Sequence, residues 1–155
     1  MQGPEFLQTL VNQTLCYGIK SPDMDLYDFG FSNRVLDFDK DAKEAYTHFL
    51  HVVCRFKVIW RRGKRRIVIY DEDTPSEKFQ TECSRLVGLN VRCALLSEKN
   101  DLWLDFGDCW VVFATFENGE ESWRLFTPKV EGPCLVASDA WLDFSDYTGK
   151  QLQLY

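Results

Sequence analysis

The chain has 155 residues, 45 % hydrophobic and 15 % aromatic, and a formal net charge of −6. That size and apolar content suit one domain with a continuous core and exclude a disordered chain. The acidic total argues against nonspecific nucleic-acid binding, which needs many phosphate-neutralising cations. The apolar runs are short and broken by charge, so no transmembrane span is expected.

Charge is unevenly placed. Residues 46–66 carry seven Lys/Arg and no carboxylate, whereas residues 101–155 carry ten carboxylates and three Lys/Arg. No basic segment followed by an apolar run opens the chain, so no secretory signal is expected. Six cysteines, at 16, 54, 83, 93, 109 and 134, show no CxxC spacing and fall mostly inside apolar patterns. They are expected as buried, reduced thiols of a cytoplasmic protein.

In chain order, Phe6, Leu7, Leu10 and Val11 share one helical face, and Asn12 is a stop. Strands are predicted at 15–19 and 25–31 around a Ser21-Pro22-Asp23 turn. Residues 32–43 form a polar loop, with Ala42, Ala45, Tyr46 and Phe49 at the spacing of a helical turn. Strict alternation from 48 to 60 predicts one long strand. Its buried face is Leu50, Val52, Cys54, Phe56, Val58 and Trp60; its outward face holds His51, Arg55 and Lys57. Residues 61–66 make a basic turn into a strand at 67–70. Thr74-Pro75-Ser76-Glu77 has the form of a capping box. The helix it opens should bury Phe79, Cys83, Leu86 and Val87 and end at Gly88 in the left-handed region. After a strand at 91–96, residues 101–126 read as three antiparallel strands. Gly107-Asp108 turns the first pair, and Asn118-Gly119 predicts a type I′ hairpin in the second. Residues 135–144 give a last strand or strand pair.

A degraded repeat runs through this order. Leu10-Val11-Asn12 matches Leu86-Val87-Gly88, and Asp25-Leu26-Tyr27 matches Asp101-Leu102-Trp103, both 76 residues apart. Asp28-Phe29-Gly30 matches Asp105-Phe106-Gly107 with a one-residue slip. Residues 56–59 and 67–71 match 123–126 and 135–139 at separations of 67 and 68, as expected if the first copy carries an insertion around 32–45. The predicted fold is therefore α+β: mostly antiparallel sheet with two short helices, one domain over 1–155. It is built from two fused helix-plus-β-meander units at about 6–73 and 74–146.

The string Leu50-His51-Val52-Val53-Cys54-Arg55-Phe56-Lys57-Val58, with Asp101-Leu102-Trp103-Leu104-Asp105-Phe106 and Glu121-Ser122-Trp123-Arg124-Leu125-Phe126, resembles a family of small bacterial proteins. Most are uncharacterised, and some resemble immunity proteins that neutralise toxins delivered between cells. The likeness covers roughly residues 10–144 and departs at Arg55-Phe56, where Pro-Trp is usual. Its motifs are strand patterns, so it implies fold more than activity, and it carries no catalytic residues over.

No phosphate-binding glycine loop, nucleophile elbow or zinc-protease motif is present. His48, His51 and Cys54 cannot converge on a strand, because His51 takes the opposite face. Asp71/Asp73, Asp105/Asp108, Glu120/Glu121 and Asp139/Asp143 read as solvated strand ends. The 61–66 cluster reads as a solvated tip that also protects a sheet edge. Trp103, opposite in parity to Leu102 and Leu104, should share an outer face with Asp105, and Trp141 lies near Asp139 and Asp143. Exposed Trp beside carboxylates is the composition of a protein-binding hot spot for a basic surface.

The sequence thus predicts a non-enzymatic, cytoplasmic, monomeric binding protein with no metal or cofactor. The expected role is an immunity protein that meets a basic toxin domain, a nuclease being one candidate, through Trp103, Asp105, Asp108, Glu117, Glu120, Glu121, Asp139, Trp141 and Asp143. Two alternatives stand beside it. One is a small-ligand binder or enzyme using a pocket between the units, for which a cleft gathering His51 and carboxylates would speak. The other is a structural module of a larger bacterial assembly.

Overall fold

The computed structural model describes residues 1–146 apart from 72 and 131. Helix α1 (Gly3–Gln8) precedes strands β1 (Thr14–Lys20), β2 (Tyr27–Ser32), β3 (His48–Val52), β4 (Arg55–Arg62) and β5 (Arg65–Tyr70). Helix α2 (Phe79–Ser84) then leads to β6 (Cys93–Leu96), β7 (Leu102–Asp105), β8 (Cys109–Ala114), β9 (Trp123–Phe126), β10 (Pro133–Ala137) and β11 (Leu142–Asp146). The strands form a six-stranded sheet in the order β1-β2-β3-β9-β10-β11 and a five-stranded sheet in the order β5-β4-β8-β7-β6. All pairings are antiparallel.

One core joins the two inner faces. The six-stranded sheet contributes Leu15, Phe29, Phe31, Leu50, Val52, Trp123, Leu125 and Leu135; the five-stranded sheet contributes Phe56, Val58, Leu102, Leu104, Val111 and Phe113. Phe6, Leu7 and Leu10 in and beside α1, and Phe79, Cys83 and Leu86 in and beside α2, complete it. Burying that many large side chains is the main stabilising term, at about 1.5–3 kcal/mol for each one.

Several expected elements take another form. Residues 48–60 are two strands in different sheets, because the chain turns a corner at Val53-Cys54, where both backbone N–H groups donate to the Ser122 carbonyl. Alternation survives the corner: Leu50, Val52, Cys54, Phe56 and Val58 are all buried. Asn118-Gly119 is not a hairpin, since β8 and β9 belong to different sheets. Gly119 alone has positive φ, +78°, and Asn118 Oδ1 accepts from the Glu120 N–H. No capping box forms: Thr74 Oγ1 donates to Asp71 Oδ1 and accepts from Asp71 N–H, closing the turn before a 3-10 segment at Ser76–Lys78. Val87 is exposed, not buried. Residues 43–45 make one 3-10 turn, and Phe49 belongs to β3.

The two units expected from the sequence exchange strands between the sheets. Helix α1 and β1 to β5 correspond in order to α2 and β6 to β10. Each unit places three strands in one sheet and two in the other. Backbone bonds mark the axis: Asn12 N–H donates to Val91 O and Gly88 N–H to Leu15 O, while Leu15 N–H donates to Leu89 O and Val91 N–H to Gln13 O. Each pair is related by a shift of 76, as are Thr14 and Asn90, which bridge. Asn12 (φ +74°) and Gly88 (φ +93°) take the same left-handed turn.

Candidate functional site

The outer face of the six-stranded sheet is where side chains gather around a cavity. A bulge between Leu15 and Tyr17 in β1 sends Cys16 and Tyr17 together to that face. The loop after β2 folds back over them, so Cys16, Tyr17, Leu36, Tyr46 and Phe49 form a small second core. Ser32 Oγ donates to the Ala45 carbonyl and Cys16 Sγ to that of Arg34, tying the loop down. At its mouth lies a cleft of about 380 Å³ lined by Tyr17, Asp28, Phe38, Asp41, Lys43, Tyr46, Phe49, His51 and Phe126.

Sheet register sets the cleft's polar line. Asp28 in β2 faces His51 in β3, which faces Arg124 in β9. His51 Nε2 is 3.2 Å from Asp28 Oδ1, near enough for an ion pair but without the alignment of a hydrogen bond. Tyr17 Oη donates to Asp28 Oδ2 at 3.2 Å. Burial first, and the Asp28 carboxylate second, push the Tyr17 hydroxyl well above the usual phenol range, so it stays protonated. The walls are rings: Tyr17 packs at a tilt against Phe38 at 4.7 Å and meets Tyr46 edge-on at 5.5 Å, and His51 stands edge-on to Phe126 at 4.7 Å. The Tyr46 hydroxyl and Asp28 Oδ1 are buried with no hydrogen-bond partner.

A second cleft of about 390 Å³ adjoins the first and shares Lys43, His51 and Phe126 with it. Its other lining residues include Arg124, Thr127, Lys129 and Cys134, and no described lining residue is a carboxylate. Arg124 is paired with Glu121 at 2.7 Å.

The nine residues expected to make one acidic, Trp-bearing face lie in separate places. Glu117, Glu120, Glu121, Asp139 and Trp141 come together at one end of the sandwich. There the 97–101, 115–122 and 138–141 loops are stitched by side chains: Asn100 Nδ2 donates to the Ser138 and Trp141 carbonyls, Trp123 Nε1 to Asn100 O, and Trp141 Nε1 to Gly119 O. Asp139 Oδ1 accepts from Gly119 N–H. Trp141 is 40 % exposed, and Glu98, Glu117 and Glu120 are exposed around it.

The remaining four diverge from that end. Trp103 and Asp105 do share an outer face, that of the five-stranded sheet. Their neighbours there are apolar and cationic: Trp103 contacts Trp110, over which Arg66 stacks at 3.9 Å, and the face also carries Arg55 and Lys57. Asp108 sits at the opposite end, 3.4 Å from Arg61 in the basic hairpin. Asp143 is on edge strand β11, across from Val136.

His48 and Cys54 point inward and His51 outward, so the three do not converge. His48 is buried between Thr9 Oγ1 and Thr47 Oγ1, at 2.8 and 2.9 Å, and burial holds its pKa down to about 4. Among the described residues no three His, Cys, Asp or Glu side chains gather as a metal site. All six cysteines are free thiols, and burial pushes Cys54, Cys83 and Cys109 up to about 12, which leaves them unreactive. No described helix is long and apolar enough to cross a membrane. Comparisons with protein-family models, curated proteins and solved structures find no match to the chain.

Tyr17, Asp28 and Tyr46 were not among the sequence-predicted site residues. The available signal was parity at Phe49 and Phe126, large rings on the outward side of strands whose other face is core, whereas Tyr17 shares the parity of Leu15 and reaches that face only through the β1 bulge. Such rings call for a second layer over them.

Proposed function

We propose that this protein is a non-enzymatic binding protein of the immunity type, which neutralises a basic toxin domain by covering it with its acidic end. One observation carries this reading: carboxylates collect around a half-exposed indole on loops already locked to one another. Locked loops lose little conformational freedom on binding, so more of the contact energy appears as affinity. The polarity of the molecule adds direction. Strand β4 runs from Arg55, opposite Ala114 at the acidic end, to Arg62 in the cationic hairpin, about 20 Å away at 3.3 Å per residue. Such a separation orients the protein in the field of a basic partner and speeds productive encounter.

The test needs a basic toxin domain that this chain binds, to be sought in the neighbouring reading frames. Glu117→Lys with Glu120→Lys is expected to slow association about tenfold at low salt, with the difference shrinking as salt rises. Trp141→Ala is expected to speed dissociation instead. Association and dissociation rates unchanged by all three substitutions would remove the acidic end from the interface.

A further inference from the structure

We propose that the two adjoining clefts on the outer face of the six-stranded sheet form one binding site for a small planar aromatic or heteroaromatic molecule bearing a carboxylate or phosphate. The first cleft takes the ring and the second takes the anion. The volumes, about 380 and 390 Å³, are those of small-molecule sites, and the shared boundary at Lys43, His51 and Phe126 makes them continuous.

The ring compartment is walled by Tyr17, Phe38, Tyr46, Phe49 and Phe126. Tilted and edge-on rings with centroids 4.7–5.7 Å apart leave both faces and edges for a flat guest to pack against. Asp28 is engaged within the protein, since Tyr17 Oη donates to Oδ2 and His51 Nε2 stands 3.2 Å from Oδ1, so the rings and not a polar contact select the guest.

The anion compartment has the opposite chemistry. Among the described residues Lys43, His51, Arg124 and Lys129 line it and no carboxylate does. Glu121 partly neutralises Arg124 from outside the lining, while Lys129 is exposed. Thr127 also lines this cleft. Gly132 matters here, because a Cβ at that position would collide with Thr127 Oγ1. Asp41 is the carboxylate against this scheme. It lines only the first cleft, where its neighbour Asp37 ties it by a backbone N–H to Oδ2 bond of 2.7 Å.

The experiment titrates the full chain with adenosine 5′-monophosphate and with indole-3-acetate, followed by amide NMR shifts and calorimetry. Adenosine, indole, ribose 5-phosphate and acetate serve as half-ligands. At least one complete probe is expected to bind about tenfold more tightly than either of its halves, because each compartment adds its own contacts. Binding of the nucleotide alone assigns phosphate, and of the indole acid alone assigns carboxylate. Lys129→Ala should weaken the complete probe about tenfold and leave its ring half unchanged. Phe38→Ala, which removes an exposed wall ring, should weaken ring and complete probe alike. Near-UV circular dichroism confirms that each variant is folded. No binding of either complete probe at millimolar concentration, or complete probes no tighter than their halves, would overturn the proposal. So would unchanged affinities in both variants.

Discussion

Gly30 sets the shape of the outer-face cleft through what it lacks. It lies opposite Tyr17 in the sheet, and the Tyr17 ring lies across its Cα so closely that a Cβ there would overlap the ring. Gly30→Ala is therefore expected to displace Tyr17, break its bond to Asp28 and cost about 1–3 kcal/mol, read from the urea midpoint. The same change in a Tyr17→Ala background should cost less than half as much, since the overlap is gone. Additive costs would show that Gly30 matters for another reason. His48 governs a second property at this scale. Its neutral ring is held between two threonine hydroxyls, with a pKa down at about 4 against an ordinary 6.5. The unfolded chain takes up this proton near the ordinary value and the fold resists it. Between those two values the unfolded state binds more protons, so the stabilisation is complete above the ordinary pKa. It is lost as pH falls toward the depressed one, by up to about 3 kcal/mol. Urea midpoints measured from pH 7.5 down to 4 should fall more steeply for the native protein than for His48→Gln. Parallel slopes would exclude His48 as the source.

At the scale of elements, the corners of the sandwich decide more than the strands. The Ser122 carbonyl accepts from Val53 and Cys54 N–H, while its hydroxyl accepts from Phe116 N–H and donates to Glu120 O. One residue thus fastens the β3–β4 corner to the β8–β9 crossing. Ser122→Ala removes only the hydroxyl, leaves a buried N–H without its acceptor, and is expected to cost about 1–3 kcal/mol in thermal or urea unfolding. Sequence alternation could not reveal these corners. Cys54 keeps the inward parity of Val52 and Phe56, so the pattern passes from one sheet to the other without a break. The Asn118-Gly119 pair misleads for a related reason: local turn chemistry is indifferent to whether the next strand pairs in the same sheet. The left-handed helix exits were legible, because Asn and Gly are the residues that tolerate positive φ. Their equivalence is testable. Gly88→Asn copies what Asn12 already does and should shift stability by less than about 0.5 kcal/mol, whereas Gly88→Val should cost about 1–2 kcal/mol. The candidate sites divide in the same way. Exposed Glu117, Glu120 and Trp141 were readable from turn chemistry and parity. Tyr17, Asp28 and Tyr46 were not, because a single sequence shows which side chains face outward but not that the loop after β2 folds back to roof them.

At the scale of the whole molecule, the exchange of strands between the two units makes each dependent on the other. Strand β3 needs β9 beside it, and β4 needs β8; both partners come from the second unit. The core is shared just as closely, with Phe29 and Phe56 from the first unit against Phe113 from the second, at ring separations of 5.7 and 5.5 Å. A unit alone would expose the edges of two strands and the inner faces of both its sheet fragments. Fragments of this size bury too small a share of their surface to offset the chain entropy lost on folding. Fragments 1–73 and 74–155, prepared separately, are therefore expected to be disordered, with collapsed amide dispersion in NMR. Mixed in equal amounts, they should regain dispersion and the near-ultraviolet signal of Trp123, which is fully buried only when both units surround it. Their recovery should depend on concentration, because association now carries the entropy that the covalent link had removed. Independent folding of either fragment would show instead that one unit holds a complete core, and that the repeat's interlocking contributes little to stability.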